Sequence, residues 1–220
     1  MSKPIDLAKT MIRDQGAALA ALAEQVGDSF RGAVDLILGA HEPMIVTGVG
    51  KSGHIARKAA ATLSSTGTRA VFMHPVEGLH GDLGIVAPRS VLLVLSKSGH
   101  TEELVRFVGH FRRVGGSVIA VCEDGPSPLA ELAEVVLAIP KRAEAGPLAL
   151  APTTSTLMML SLCDALAMAL LDARGFGEKD FARYHPDGSL GRKLLTRAAD
   201  LMHGGNELPC IPGAAPVSTL

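Results

Sequence analysis

The chain has 220 residues, 47% of them hydrophobic and only 3% aromatic, with 24 glycines and no tryptophan. Lysine and arginine total 21 against 22 aspartate and glutamate, for a formal net charge of −1. That length suits one sizeable domain with short appendages, and that balance excludes a global electrostatic footprint for nucleic acid or an anionic membrane. An anionic ligand has to be held by a local site. The three cysteines, Cys122, Cys163 and Cys210, are scattered and lack CxxC or CxxH spacing. This favours a reducing cytoplasm over a disulfide framework or a structural zinc site. Residues Met1 to Asp6 contain neither an apolar run nor a cleavage pattern, so no secretory leader is read there.

From Asp6 to about Ala40, apolar residues recur at helical spacing: Leu7, Met11, Ala18 and Leu22, then Phe30, Val34, Leu36 and Ile37. Gly27-Asp28 divides this stretch into two helices. Beyond Pro43 the pattern changes to short apolar runs at Met44–Val46, Ala70–Phe72, Val91–Leu95, Ser117–Val121 and Val135–Ile139. Helical stretches separate most of them, one opening near Ser52. Strands alternating with helices imply right-handed βαβ units and a parallel sheet of about five strands, covered on both faces. Leu157 to Leu171 is intensely apolar, yet shorter than the roughly 20 residues of a membrane span, and Asp164 interrupts it. It reads as a buried helix that also offers a subunit interface, with Thr153, Thr154 and Ser155 as capping hydroxyls. From Leu201 onward, Gly204, Gly205, Asn206, Pro209, Pro212 and Pro216 read as a loop or linker. No internal repeat is visible.

Open parallel sheets bind ligands beyond the carboxyl ends of their strands, which directs attention to three loops. Gly48-Val49-Gly50-Lys51-Ser52-Gly53 follows a strand, opens a helix and matches the GxGxxG form. The acidic residue that a nicotinamide dinucleotide needs at the end of the next strand is missing, because that strand ends in Met73-His74. A P-loop is excluded by Ile45, which stands where its first glycine belongs. What remains is a backbone open to an anion, helix amides and the charge of Lys51, or else an ordinary tight turn with a solvated lysine. Ser96-Lys97-Ser98-Gly99-His100-Thr101 follows the most apolar strand, and its hydroxyls suit one phosphate or ordinary N-caps. Two such loops on successive core strands favour a phosphate. Between them His74, Glu77, His80 and Asp82 suit acid–base work or divalent-metal binding, without zinc spacing, or form a solvated loop.

These loops, in this order, resemble the SIS (sugar isomerase) family of phosphosugar-binding domains, and within it the arabinose-5-phosphate isomerases. The resembling stretches are residues 48–54, His80-Gly81-Asp82-Leu83-Gly84, Leu150-Ala151-Pro152-Thr153-Thr154-Ser155, and the most specific, His185-Pro186-Asp187-Gly188-Ser189-Leu190-Gly191-Arg192-Lys193-Leu194-Leu195. The resemblance runs from about residue 40 to the end. It implies a three-layer α/β/α, flavodoxin-like domain over residues 41–195. A helical segment, 1–40, would pack on it, and a linker over 196–220 would open a CBS module at Asp200-Leu201-Met202-His203. The implied reaction interconverts D-ribulose 5-phosphate and D-arabinose 5-phosphate through an enediol(ate), feeding Kdo and lipopolysaccharide synthesis, in a cytoplasmic homotetramer without nucleic-acid or membrane partners.

Carried over residue by residue, the catalytic set is Lys51, Glu103, Glu144 and His185. Glu103 would be the carbon base, Lys51 the stabiliser of the enediolate, and His185 the proton shuttle between oxygens. Glu144 would share one of these roles or orient Lys51. Substrate contacts would come from Gly50, Ser52, Gly67, Thr68, His74, His80, Ser96, Ser98, Gly99, Thr101 and Thr153. No cofactor is required; zinc at His74 is a candidate accessory. The structural readings are a macrodipole acid at Glu103, a solvated loop at Glu144 and a turn histidine at His185. The turn Val76-Glu77-Gly78-Leu79 departs from the family's Gly-Glu-Ala-Ala, and Lys97 and His100 replace its commoner Asn and Glu. A non-catalytic phosphosugar sensor and an isomerase for a hexose or heptose phosphate are the alternatives. The joint presence of the four ionisable residues favours an enzyme.

Overall fold

Each short apolar run forms a strand. In the computed structural model, which describes residues 3–202 and Ala214, these are β1 (Met44–Gly48), β2 (Ala70–Phe72), β3 (Val91–Leu95), β4 (Ser117–Glu123) and β5 (Val135–Ile139). All pairings are parallel, and the spatial order is β2-β1-β3-β4-β5. Gly48 lies opposite Leu95 and Leu95 opposite Val121, so β1 and β3 finish level with one another while β4 runs two residues further, to Glu123. Every residue of β1 and β3 is buried, as continuous apolar runs require when helices cover both faces.

Between and around the strands run α1 (Pro4–Gln25), α2 (Asp28–Leu38), α3 (Gly50–Ser65), α4 (Pro75–Leu79), α5 (Glu102–Val114), α6 (Pro128–Leu132) and α7 (Thr154–Ala173). The period-two alternation of the strands sorts the core into two layers. Val91, Leu93 and Leu95 meet α1, α2, α3 and α7 through Leu22, Ile37, Ala56, Ala60, Met158 and Leu162. Leu92 and Val94 meet α5 through Leu104, Phe107, Val108 and Phe111, with Leu129 of α6 beside them. The result is the expected three-layer α/β/α arrangement, with the N-terminal helices packed on it. Phe107 and Phe111 are fully buried, and truncating either to alanine would cost about 3–5 kcal/mol.

Two local features differ from the sequence reading. The polar stretch after β2 is not an open loop: Pro75 stands at the start of α4, His74 caps it, and a 3-10 turn follows at Asp82–Ile85. The start of α7 is capped not by its own hydroxyls but by a distant carboxylate, described below; Thr153 makes no side-chain cap bond. Among the described residues, α7 is the one helix long and apolar enough to cross a membrane. Here Met158, Leu162, Leu166 and Leu170 are buried at four-residue spacing, and Asp164 pairs with Lys58 of α3. Cys122 and Cys163 are free and buried; burial pushes the Cys163 thiol up to about 12.

The chain divides into two compact units, Met1–Phe176 and Gly177–Leu220. The second contains α8 (Glu178–Tyr184), α9 (Ser189–Leu195) and α10 (Ala198–Leu201). The expected linker over 196–220, its CBS-like continuation and Cys210 fall mostly or wholly outside the described residues.

Candidate active site

The chain leaves β1 and β3, which are neighbours, in opposite directions: β1 leads through α3 to β2, and β3 through α5 to β4. Because α3 and α5 cover opposite faces, a crevice opens beyond the strand ends at this switch point. Both glycine-bearing loops flank it. On the β1 side, a Cβ at Gly53 would stand 2.7 Å from the Gly48 carbonyl oxygen. Glycine thus lets the first turn of α3 seat directly on the end of its strand. No side chain caps that turn, so its amides stay available to a ligand. Lys51 is exposed and has no ion-pair partner among the described residues, while Ser52 is half-buried.

On the β3 side, the Ser96 N–H continues the ladder by donating to the Val121 carbonyl (3.0 Å), and its hydroxyl meets that of Thr101 at 3.0 Å. Thr101 stands at the N-cap position of α5 yet makes no side-chain cap bond, so its hydroxyl is not an ordinary cap. Ser98 Oγ accepts from the His100 N–H (3.2 Å), and His100 Nδ1 donates to the Ser98 carbonyl (2.6 Å). Gly99 has φ +68°, and a Cβ there would fall 2.2 Å from Ser127 Oγ. A side chain there is strained, and Ser127 would have to shift. Glu103 lies exposed in the first turn of α5, without an ion-pair partner among the described residues.

Glu144 is no solvated loop residue. It is 6% exposed; Oε1 accepts from Lys97 Nζ (2.8 Å) and Ser155 Oγ (2.5 Å). Oε2 accepts from the N–H groups of Thr153 (2.8 Å) and Ser155 (3.2 Å). The carboxylate is therefore the cap of α7. Burial raises its pKa, but the bonds from Lys97, Ser155 and the two backbone amides outweigh burial and hold it down to about 2. The lysine it holds is Lys97, not Lys51. Thr153 is held in turn, its hydroxyl donating to the Ala145 carbonyl at 2.9 Å.

A shallow cavity of about 160 Å³ lies between the ends of β1 and β2, lined by Gly48, Gly50, Gly53, His54, Arg57, Phe72 and His74. Arg57 stacks its guanidinium 3.9 Å above the Phe72 ring. The Thr47 hydroxyl donates to the Met73 carbonyl (2.7 Å), which ties the His74 turn to β1. His74 Nδ1 accepts from the Val76 N–H at 3.3 Å, the bond that caps α4. Among the described residues, no group of three His, Cys, Asp or Glu side chains converges to hold a metal. The residues present do not fit zinc at His74 within one chain. His80 and Asp82 are exposed.

Gly67 and Thr68 are not brought to this crevice. They form the turn from α3 into β2, at the amino end of the sheet, where Thr68 Oγ1 accepts from Arg174 Nε at 3.2 Å. In the second unit, His185 ends α8, stacks on Phe181 at 3.9 Å and donates from Nδ1 to the Phe181 carbonyl (3.0 Å). A Cβ at Gly191 would lie 2.0 Å from the His185 carbonyl oxygen, so glycine there lets α9 close against the histidine turn.

Residues 37–169 match the family model described as SIS domain. The chain belongs to the SIS domain family. The matched range includes Lys51, Glu103 and Glu144 and ends before His185. An arabinose 5-phosphate isomerase, KdsD of Pseudomonas aeruginosa PAO1, is 46% identical over 212 residues, which is 95% of this chain and 65% of that one. Another, GutQ of Salmonella typhi, is 47% identical over 188 residues, 86% of this chain and 59% of that one. The chain thus spans less than two thirds of these relatives. Among solved SIS-fold structures, a protein of Escherichia coli CFT073 in complex with arabinose 5-phosphate superposes with a TM-score of 0.80 at 34% identity, covering 84% of this chain and all of that one.

Sequence reasoning did not single out His54 or Arg57 as site residues, and read Ser155 only as a capping hydroxyl. His54 and Arg57 carried a signal, since with Lys51 they recur every third residue along one face of α3. Nothing in the spacing links Ser155 or Lys97 to Glu144, because that contact exists only once the strands are assembled.

Proposed function

We propose that the chain is an aldose–ketose isomerase that interconverts D-ribulose 5-phosphate and D-arabinose 5-phosphate. One observation carries this reading: two uncapped helix starts flank the switch point of the sheet, one bearing the exposed ammonium of Lys51 and the other the exposed carboxylate of Glu103. The likeness to relatives named arabinose 5-phosphate isomerases supports it.

The phosphate sits on the hydroxyls of Ser96, Ser98 and Thr101 and the amides of Ser98, Gly99 and Thr101, with Gly50 and Ser52 across the crevice. Glu103 takes a proton from C1 of the open-chain ketose. The C–H electron pair forms the C1–C2 double bond, and the carbonyl pair moves onto O2, where Lys51 stabilises the charge. Glu103, whose proton exchanges with solvent before it is delivered, protonates C2, while the hydroxyl proton of O1 passes to O2 and leaves an aldehyde at C1. The family resemblance assigns that relay to His185. A carboxylate held near pKa 2 by four donors is a poor proton carrier at neutral pH, so Glu144 serves by orienting its neighbours. Gly67 and Thr68 lie at the far end of the sheet, so their contact with substrate requires another copy, in keeping with a homotetramer. The product would feed Kdo and lipopolysaccharide synthesis in the cytoplasm.

Incubation with D-ribulose 5-phosphate in deuterated water, followed by NMR, tests this. The reading expects D-arabinose 5-phosphate carrying deuterium at C2, and Glu103→Gln should lower kcat by at least about 100-fold. Product without deuterium would replace the enediol route by a hydride shift. Phosphosugar binding without turnover would make the chain a sensor.

A further inference from the structure

The loop after β3 is held from below by β4 and α6, through the Ser96 N–H on the Val121 carbonyl and the Leu129 N–H on the Gly99 carbonyl. From the other side it is held by one side chain. Lys97 reaches 47 residues along the sequence to Glu144, its Nζ 2.8 Å from Oε1, and lies 3.9 Å from Glu123 Oε1. The placement of Glu144 is electrostatically adverse: a buried carboxylate at the edge of a loop built for an anion repels that anion unless its charge is cancelled. Lys97 cancels it, and an ammonium has three donors, of which Glu144 takes one. The Lys97 side chain is 38% exposed, which leaves room for a ligand beside it even with Glu123 at 3.9 Å.

We propose that Lys97 is the charge-balancing and positioning residue of the phosphate seat: it neutralises Glu144, ties the Ser96–Thr101 loop to the start of α7, and presents its ammonium to a phosphate dianion. This rests on reading that loop as the phosphate seat, and deepens it by naming a cation that the hydroxyl-and-amide pattern did not include. A purely structural lysine would lose stability when replaced. A charge-balancing one gives a different signature, because removing its partner should then repair part of the damage.

The test measures the Kd of inorganic phosphate by calorimetry, KM and kcat for D-arabinose 5-phosphate, and circular dichroism, for wild type, Lys97→Met, Lys97→Arg and Lys97→Met/Glu144→Gln. Loss of one charge-assisted bond predicts that Lys97→Met weakens phosphate by about tenfold or more and raises KM more than it lowers kcat. Lys97→Arg should stay within about threefold of wild type, since it keeps the charge. The double variant should bind phosphate more tightly than Lys97→Met, because no unpaired buried carboxylate remains to repel it. If Lys97→Met does not fold, Lys97→Gln takes its place. An unchanged phosphate Kd in Lys97→Met, a double variant weaker than the single, or no phosphate binding by wild type each overturns the proposal. If the phosphate series holds but wild type does not turn over the sugar, the isomerase reading fails and Lys97 keeps its role. If wild type isomerises and Lys97→Met binds phosphate normally, only the role of Lys97 fails.

Discussion

At the scale of single residues, Glu144 decides most. Its folded-state pKa of about 2 lies below the ordinary 4.5, so it stabilises the fold above about pH 4.5, and that contribution disappears as pH falls towards 2. A shift of that size in a group this buried corresponds to about 3 kcal/mol. Denaturant midpoints between about pH 2 and pH 6 should therefore fall steeply in wild type. They should be much flatter in Glu144→Gln, and parallel curves would contradict the assignment. The sequence offered Glu144 as a sharer of a catalytic role, a group orienting Lys51 or a solvated loop residue; in the structure it is buried and paired with Lys97 instead. Its burial was not legible, because five contacts from two distant segments create it. Lys51 and Glu103 came from the family resemblance, and chain order shows only that each lies in the first turn of the helix that follows β1 or β3.

At the scale of elements, the strands and their loops carry the site. The short apolar runs and the helical spacing of residues 6–40 gave every strand and both opening helices, because burial on two faces leaves a continuous apolar signature. The short helices α4 and α6 were not foreseen, since five residues hold no period. The loop glycines are constrained by close approach, which makes them testable. Gly53→Ala places a Cβ 2.7 Å from the backbone oxygen of Gly48, and with no flexible side chain to yield, α3 must lift off β1. We expect a loss of about 2–3 kcal/mol in thermal or denaturant unfolding. Gly99→Ala combines φ +68° with a contact of 2.2 Å to Ser127 Oγ. It should cost at least about 1 kcal/mol and raise KM for the phosphosugar, because the seat itself is distorted. A Gly99→Ala variant with wild-type KM would separate that loop from the ligand.

At the scale of the whole molecule, the parallel sheet in the order β2-β1-β3-β4-β5 matters because it puts the loops after β1 and β3 side by side, although 48 residues separate Gly48 from Ser96. Membership of the SIS domain family fits this placement. Gly67 and Thr68 lie at the amino end of the sheet, away from the crevice. With a chain mass of 22.8 kDa, sedimentation should give a particle of about four times that value if the site is shared among copies, whereas a monomer would remove Gly67 and Thr68 from the substrate. The most direct measurement is a crystal structure with D-arabinose 5-phosphate bound. Its phosphate should lie within hydrogen-bonding reach of the Ser96, Ser98 and Thr101 hydroxyls and the Ser98, Gly99 and Thr101 amides, with C1 and C2 turned towards Lys51 and Glu103. A phosphate bound elsewhere, for instance beside Arg69 and Arg174 at the amino end of the strands, would contradict the central claim.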